Sequence, residues 1–168
     1  MQRIIHNPCG QILLPCFGLN IDCIERRVIM LKNIPAIISP ELMMVLMEMG
    51  HGDEIVLADA NYPVESAGTL SVRADGHGIP ELLEAILLFL PLDQYEAHNV
   101  FYMDTGKEAK PQIWQCYENI FKASKENYSI KTLERFQFYQ RAAQGYAIVA
   151  TGERSLYANI ILKKGVIS

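Results

Sequence analysis

The feature that most limits the fold is the alternation of short apolar runs with amphipathic stretches from residue 31 onward. Ile55, Val56 and Leu57 stand together within 54–58, as in a strand covered on both faces. Runs over 70–73, 99–103, 129–133, 146–150 and 159–162 read as further strands. Helical patterns fall between them. Ser39-Pro40-Glu41 is a helix start, with serine as N-cap, proline at N1 and an acid in the first turn. Leu42, Val45, Leu46 and Met49 recur at i, i+3, i+4 and i+7 and give one apolar face. Met43, Met44 and Met47 widen it, a pattern that belongs to core packing rather than to a cofactor. Helices are also expected over 80–90, 110–126 and 135–145. Such alternation predicts an α/β fold, layered α/β/α with a central mixed sheet.

Residues 1–29 break the pattern. Asn7-Pro8, Cys9-Gly10, Pro15-Cys16 and Phe17-Gly18 are turn and breaker signals. The segment reads as a poorly ordered N-terminal extension ahead of one domain over 30–168. It lacks the clean apolar stretch and small-residue cleavage site of a signal peptide. Cys9, Cys16 and Cys23 are spaced by seven residues, unlike the short C-x₂₋₄-C knuckles of structural zinc sites, so no metal is expected with His6. Adding Cys116, the four cysteines form no C-x-x-C pair, which suits a reducing compartment such as the cytoplasm. A formal charge of −4 argues against nucleic acid or an anionic membrane as partner. No apolar run reaches the roughly 18 residues of a membrane span.

Chemistry-bearing residues are few. His51 lies between Gly50 and Gly52 at a helix end, where both glycines are free to take φ > 0 and the ring can reach a cleft. Asp59 stands where the strand over 54–58 ends, so it meets the sheet edge of His51 only through the following turn. The Gly76-His77-Gly78 loop lacks the third glycine of a dinucleotide fingerprint and the lysine of a P-loop, and reads as a tight βα connection. Tyr157-Ala158-Asn159 puts a phenol and a carboxamide on one side of an extended segment, with Ala158 on the other. With Asp59 and Arg135 they form a donor and acceptor set suited to a polyhydroxylated ligand. His51 and Asp53 are too few for a metal site.

Several ordered motifs resemble the fucose mutarotase/ribose pyranase family. They are Met30-Leu31-Lys32, Ile38-Ser39-Pro40-Glu41-Leu42, Met49-Gly50-His51-Gly52-Asp53-Glu54-Ile55, Ala58-Asp59-Ala60, Arg73-Ala74-Asp75-Gly76, Arg135-Phe136, Phe138-Tyr139, Thr151-Gly152-Glu153-Arg154 and the run from Tyr157 to Val166. The glycine after His51, Arg135-Phe136 and Lys163-Lys164-Gly165 resemble the fucose branch; the ribose branch typically has threonine after the histidine. The resemblance implies L-fucose as the monosaccharide substrate, with His51 as proton donor and Asp59, Arg135, Tyr157 and Asn159 at the sugar. Tyr157, Asp59 and a water are the candidates for the second proton-handling group. The resemblance further implies no metal or organic cofactor. It implies a homo-oligomer, a ring-shaped decamer or smaller, with the site near a subunit boundary. Ribose pyranase activity, or sugar binding without catalysis, are the alternatives on the same fold.

Overall fold

The computed structural model describes residues 31–106 and 110–167. The expectations for residues 1–29 fall outside them. Every helix and strand described below belongs to one compact unit, Ile37–Ser168.

That unit runs α1 (Pro40–Glu48), β1 (Glu54–Ala58), a 3₁₀ turn (Glu65–Ala67), β2 (Leu70–Ala74), α2 (Ile79–Ile86), β3 (Val100–Met103), α3 (Gln112–Ser124), β4 (Ile130–Leu133), α4 (Arg135–Ala142), β5 (Ala147–Thr151) and β6 (Ile160–Lys163). The strands form a six-stranded sheet in the order β2-β5-β1-β6-β3-β4. β1 pairs parallel with β5, β5 with β2, and β3 with β4, whereas β6 is antiparallel to both β1 and β3. Among the described strands β6 alone runs against the rest. The carboxyl ends of β1 to β5 and the amino end of β6 therefore share one edge of the sheet. The opposite edge carries the start of β1 and the end of β6.

The period-two alternation of the strands explains the layers. On one face Val56, Phe101, Ile148 and Ile161 pack with Phe138 and Ala142 of α4. Arg141 anchors α4 there, pairing with Glu54 and laying its guanidinium 3.6 Å over the Phe101 ring. On the other face Tyr102, the next residue along β3, meets Trp114 and Tyr117 of α3 at ring distances of 4.9 and 5.9 Å. α2 packs against α3, which buries Leu82, Leu83 and Ile86. Helices thus cover both faces of a mixed sheet, the layered α/β/α class expected.

Helix α1 starts as the sequence predicts: Ser39 Oγ accepts the Leu42 N–H at 3.2 Å, with Pro40 in the first turn. Its end differs from expectation. The cap is Met49, and of the two glycines around His51 only Gly52 has positive φ, at 89°. Gly50 stays outside the positive-φ region, and its N–H donates to the Asp53 side chain at 2.6 Å.

Candidate active site

His51 lies at the edge where β1 begins. Its Nε2 meets Asp93 Oδ1 at 2.9 Å. The histidine side chain is 46% exposed and the aspartate only 1%. Asp93 also accepts the backbone N–H groups of Tyr95 at 3.3 Å and Glu96 at 3.2 Å. Burial alone would raise the Asp93 pKa, but the bonds from His51 and these two amides outweigh it and hold the carboxyl below its usual range. Asp93 is then an anion that accepts the proton on His51 Nε2. With Nε2 committed to Asp93, Nδ1 is the ring nitrogen left to serve a ligand.

The end of β6 welds these two residues together. The Gly52 N–H donates to the Lys164 carbonyl at 2.9 Å, and the Lys164 N–H donates to the Asp53 carbonyl at 2.8 Å. The Lys164 ammonium caps α1, bonding the Leu46 carbonyl at 3.2 Å and also that of Met49. On its other side the Asp93 N–H donates to the Lys163 carbonyl at 3.0 Å, and the Gly165 N–H to that of Pro91 at 2.8 Å. A Cβ on Gly165 would stand 2.5 Å from the Leu92 carbonyl oxygen, so no larger residue fits this crossing. The turns carrying His51 and Asp93 are thus fastened to opposite sides of one strand end.

The second cluster occupies the opposite edge. Asp59 directly follows β1 and is buried. Its backbone N–H donates to Asn159 Oδ1 at 2.8 Å, while Asn159 Nδ2 donates to Asp59 Oδ2 at 2.8 Å. The Asn61 N–H reaches Asp59 Oδ1 at 2.9 Å. Burial raises the Asp59 pKa and exceeds the lowering by the Asn61 and Asn159 bonds. Tyr62 and Tyr139 stand beside it with rings 5.3 Å apart, and burial pushes the Tyr62 phenol up to about 12. Asp59, Tyr62, Arg73 and Arg154 help line an open cleft of about 500 Å³.

Arg135 and Tyr157 line a smaller cleft of about 250 Å³ with Asp104 and Glu134 on the same edge. Arg135 comes there because Glu134 follows β4 at once and caps α4, accepting the Phe136 N–H at 2.8 Å. Tyr157 is not extended, as the sequence suggested, but left-handed at φ 57°. Its carbonyl accepts from the Trp114 indole at 3.2 Å, and the Ala158 carbonyl accepts from the Tyr117 hydroxyl at 2.8 Å. α3 thus forces the twist. Tyr157 and Asn159 consequently do not present a matched pair: Asn159 is buried, with its amide engaged by Asp59.

Of the residues singled out from sequence, Asp59, Arg135, Tyr157 and Asn159 share one edge, and His51 stands at the other. The five residues of β1 rise about 3.3 Å each, which separates the edges by at least about 13 Å. Sequence reading missed Asp93, the partner of His51, and the Tyr62–Tyr139 wall. A lone acid after the apolar run ending in Pro91-Leu92 was the available signal for Asp93. Among the described residues no three His, Cys, Asp or Glu side chains converge to hold a metal ion. None of the described helices is long and apolar enough to cross a membrane.

A mixed α/β/α sheet thus carries a histidine–carboxylate pair at one edge and a carboxylate, arginine and phenol at the other, groups able to bind hydroxyls and to exchange protons. The chain belongs to the RbsD / FucU transport protein family, which matches residues 32–167. The fucose mutarotase of Mus musculus is 50% identical over 145 residues, covering 82% of this chain and 95% of that protein. The crystal structure of the fucose mutarotase from Streptococcus pneumoniae in complex with L-fucose is similar at 51% identity and a TM-score of 0.79, covering 82% of this chain and all (100%) of that one. RbsD of Bacillus subtilis complexed with D-ribose is more distant, at 25% identity and a TM-score of 0.66 over 77% of this chain and 95% of that one.

Proposed function

We propose that this protein is an L-fucose mutarotase, an isomerase that interconverts the α and β anomers of L-fucopyranose. The likeness to a mutarotase solved with L-fucose carries the reading, and the two edges supply suitable chemistry. Ring opening needs a proton delivered to the ring oxygen and one removed from the anomeric hydroxyl. The C1–O5 bond breaks, the aldehyde turns about C1–C2, and closure on the other face reverses both transfers. His51 Nδ1 gives the proton to the ring oxygen, with Asp93 stabilising the imidazolium through Nε2. The Tyr157 hydroxyl relays the anomeric proton, accepting it while its own proton passes to solvent water. Each positioned group contributes roughly 10²–10⁴-fold. Asp59, held by Asn159, and Arg135 bind sugar hydroxyls.

One pyranose does not bridge the two edges of a single chain. The protein therefore works as a homo-oligomer, a decamer or smaller, in which His51 of one copy faces the Asp59 and Tyr157 edge of another. It acts in the cytoplasm, where its cysteines stay reduced. Residues 30–168 carry the activity, and deletion of 1–29 leaves exchange within about twofold, since the deleted segment lacks a core pattern. Saturation-transfer NMR of anomer exchange, run side by side on L-fucose and D-ribose, tests the assignment. Faster exchange of L-fucose is expected. Binding without faster exchange, or a preference for D-ribose, would refute it.

A further inference from the structure

Tyr95 has a large apolar ring in an unusual place. It is 74% exposed, although an aromatic ring left in water forfeits its burial energy. The ring is set 5.3 Å from the His51 imidazole at 59°. Nor is it on a loose loop. Its N–H donates to Asp93 Oδ1, the same oxygen that holds His51 Nε2, and the Glu96 N–H fixes the other carboxylate oxygen. The adjacent Gln94 side chain ties the turn down through the carbonyls of Leu92 and Asn127, both at 2.9 Å. One buried carboxylate thus sets the imidazole and the phenol ring in register with each other.

This inference rests on the mutarotase reading. With Nε2 committed to Asp93, Nδ1 is the nitrogen that meets the sugar ring oxygen. In a 6-deoxyhexopyranose the methyl group is attached to C5, the carbon bonded to that oxygen. The ring oxygen has two neighbours, C1 and C5; with the C1 hydroxyl given to Tyr157, the side chain that flanks the imidazole takes the other side and meets the C5 substituent. We propose that Tyr95 is a specificity-determining residue, whose ring forms the apolar wall that receives the C5 methyl group of the substrate. An aromatic face suits a methyl and returns nothing to a hydrogen at the same position. The wall selects 6-deoxyhexoses over pentoses without taking part in proton transfer.

L-Fucose and D-arabinopyranose make the test clean, because they share every ring hydroxyl configuration and differ only in that methyl. Discrimination for one methyl against an apolar wall is expected near the lower end of the usual range, about tenfold in kcat/KM. In Tyr95→Ala this L-fucose to D-arabinose ratio should collapse towards one, through KM for L-fucose rather than kcat. Tyr95→Phe should keep the ratio, since the ring and not the hydroxyl forms the wall. A Tyr95→Ala protein that exchanges both sugars more slowly by one factor, with the ratio intact, would overturn the assignment and leave Tyr95 a mere prop for the Asp93 turn. Loss of the ratio in Tyr95→Phe would overturn it too. The wild-type protein in the same experiment keeps the two readings apart: exchange of neither sugar would refute the mutarotase activity itself, and the wall with it.

Discussion

Two buried carboxylates stand at opposite edges of one sheet, and their surroundings push them in opposite directions. Asp93 accepts one imidazole and two backbone N–H groups, which overcome its burial and lower its pKa. Asp59 accepts from Asn61 and Asn159, yet its burial prevails and raises it. Both are nearly inaccessible, at 1% and 6% exposure, so depth alone does not separate them. The donor set does. A fixed anion is useful behind a histidine that must carry positive charge for part of the cycle. A carboxyl that resists ionisation is useful where hydroxyl groups are to be bound and protons shared.

The largest expected effect tests the division of labour between the edges. His51→Ala should lose about 10²–10⁴-fold in anomer exchange while remaining folded, because the residue sits in an exposed turn. Tyr157→Ala should also be strongly impaired. If each site draws one edge from each of two copies, mixing the two subunit types should restore activity in about a quarter of the sites by random pairing. Co-refolded variants assayed by saturation-transfer NMR decide this. No recovery in verified mixed assemblies would mean that both edges are not used in one site.

Next come the carboxylates themselves. Asp93 has a folded pKa below its unfolded value of about 3.9, so its stabilisation is complete above that value and fades as pH falls through the folded pKa. Asp59 has the reverse sign: its penalty grows as pH rises from about 3.9 through its raised folded pKa, and is complete above it. Chemical denaturation across this range should show Asp93→Asn with a flattened acid limb. Asp59→Asn should gain on wild type as pH rises. Asp93→Asn should in addition lose about 10²-fold in exchange, since the imidazolium has lost its counter-charge. Parallel stability curves for the two variants would erase the distinction between the edges.

The amino-acid sequence made the two edges unequally legible. Strands and helices were visible because Ile55-Val56-Leu57 and the α1 stripe carry the period of their element, and their ends lie within a few residues of expectation. His51 was visible because Gly50, Gly52 and the end of α1 mark its turn. Asp93 was not, because it lies 42 residues from His51 and no local spacing links them. The Tyr157–Asn159 geometry was misjudged for a tertiary reason. Trp114 and Tyr117, on a helix far away in sequence, bond the carbonyls of residues 157 and 158 and turn the backbone left-handed. Local alternation cannot report a bond made from α3.

That twist bears on a third, smaller effect. Asn159 is occupied in holding Asp59, which leaves the Tyr157 phenol to meet the sugar without its expected partner. Tyr157→Phe keeps the ring and its packing against the core. If the hydroxyl relays the anomeric proton, exchange at saturating L-fucose should fall by about 10–10²-fold with KM changed little. A fall in affinity at an unchanged saturated rate would reduce Tyr157 to a binding group and make Asp59 the better base.

The smallest effect should come from Lys164, which touches neither carboxylate. Its ammonium neutralises the carbonyl end of α1 through Leu46 and Met49, and its backbone clamps Gly52 and Asp53 on either side of the turn. Lys164→Met removes the first interaction and keeps the second, because main-chain bonds survive a side-chain change. The expected stability loss is about 1 kcal/mol, the usual worth of a cation at a helix C-terminus. Exchange should drop a few-fold through the rate rather than KM, as His51 wanders from its place on Asp93. The edge carrying Asp59 hangs from β1, β5 and the start of β6, and should not register the change. A shift in L-fucose affinity larger than the change in rate would show the effect reaching that far edge. It would mean that the two ends of the sheet are coupled rather than independently built.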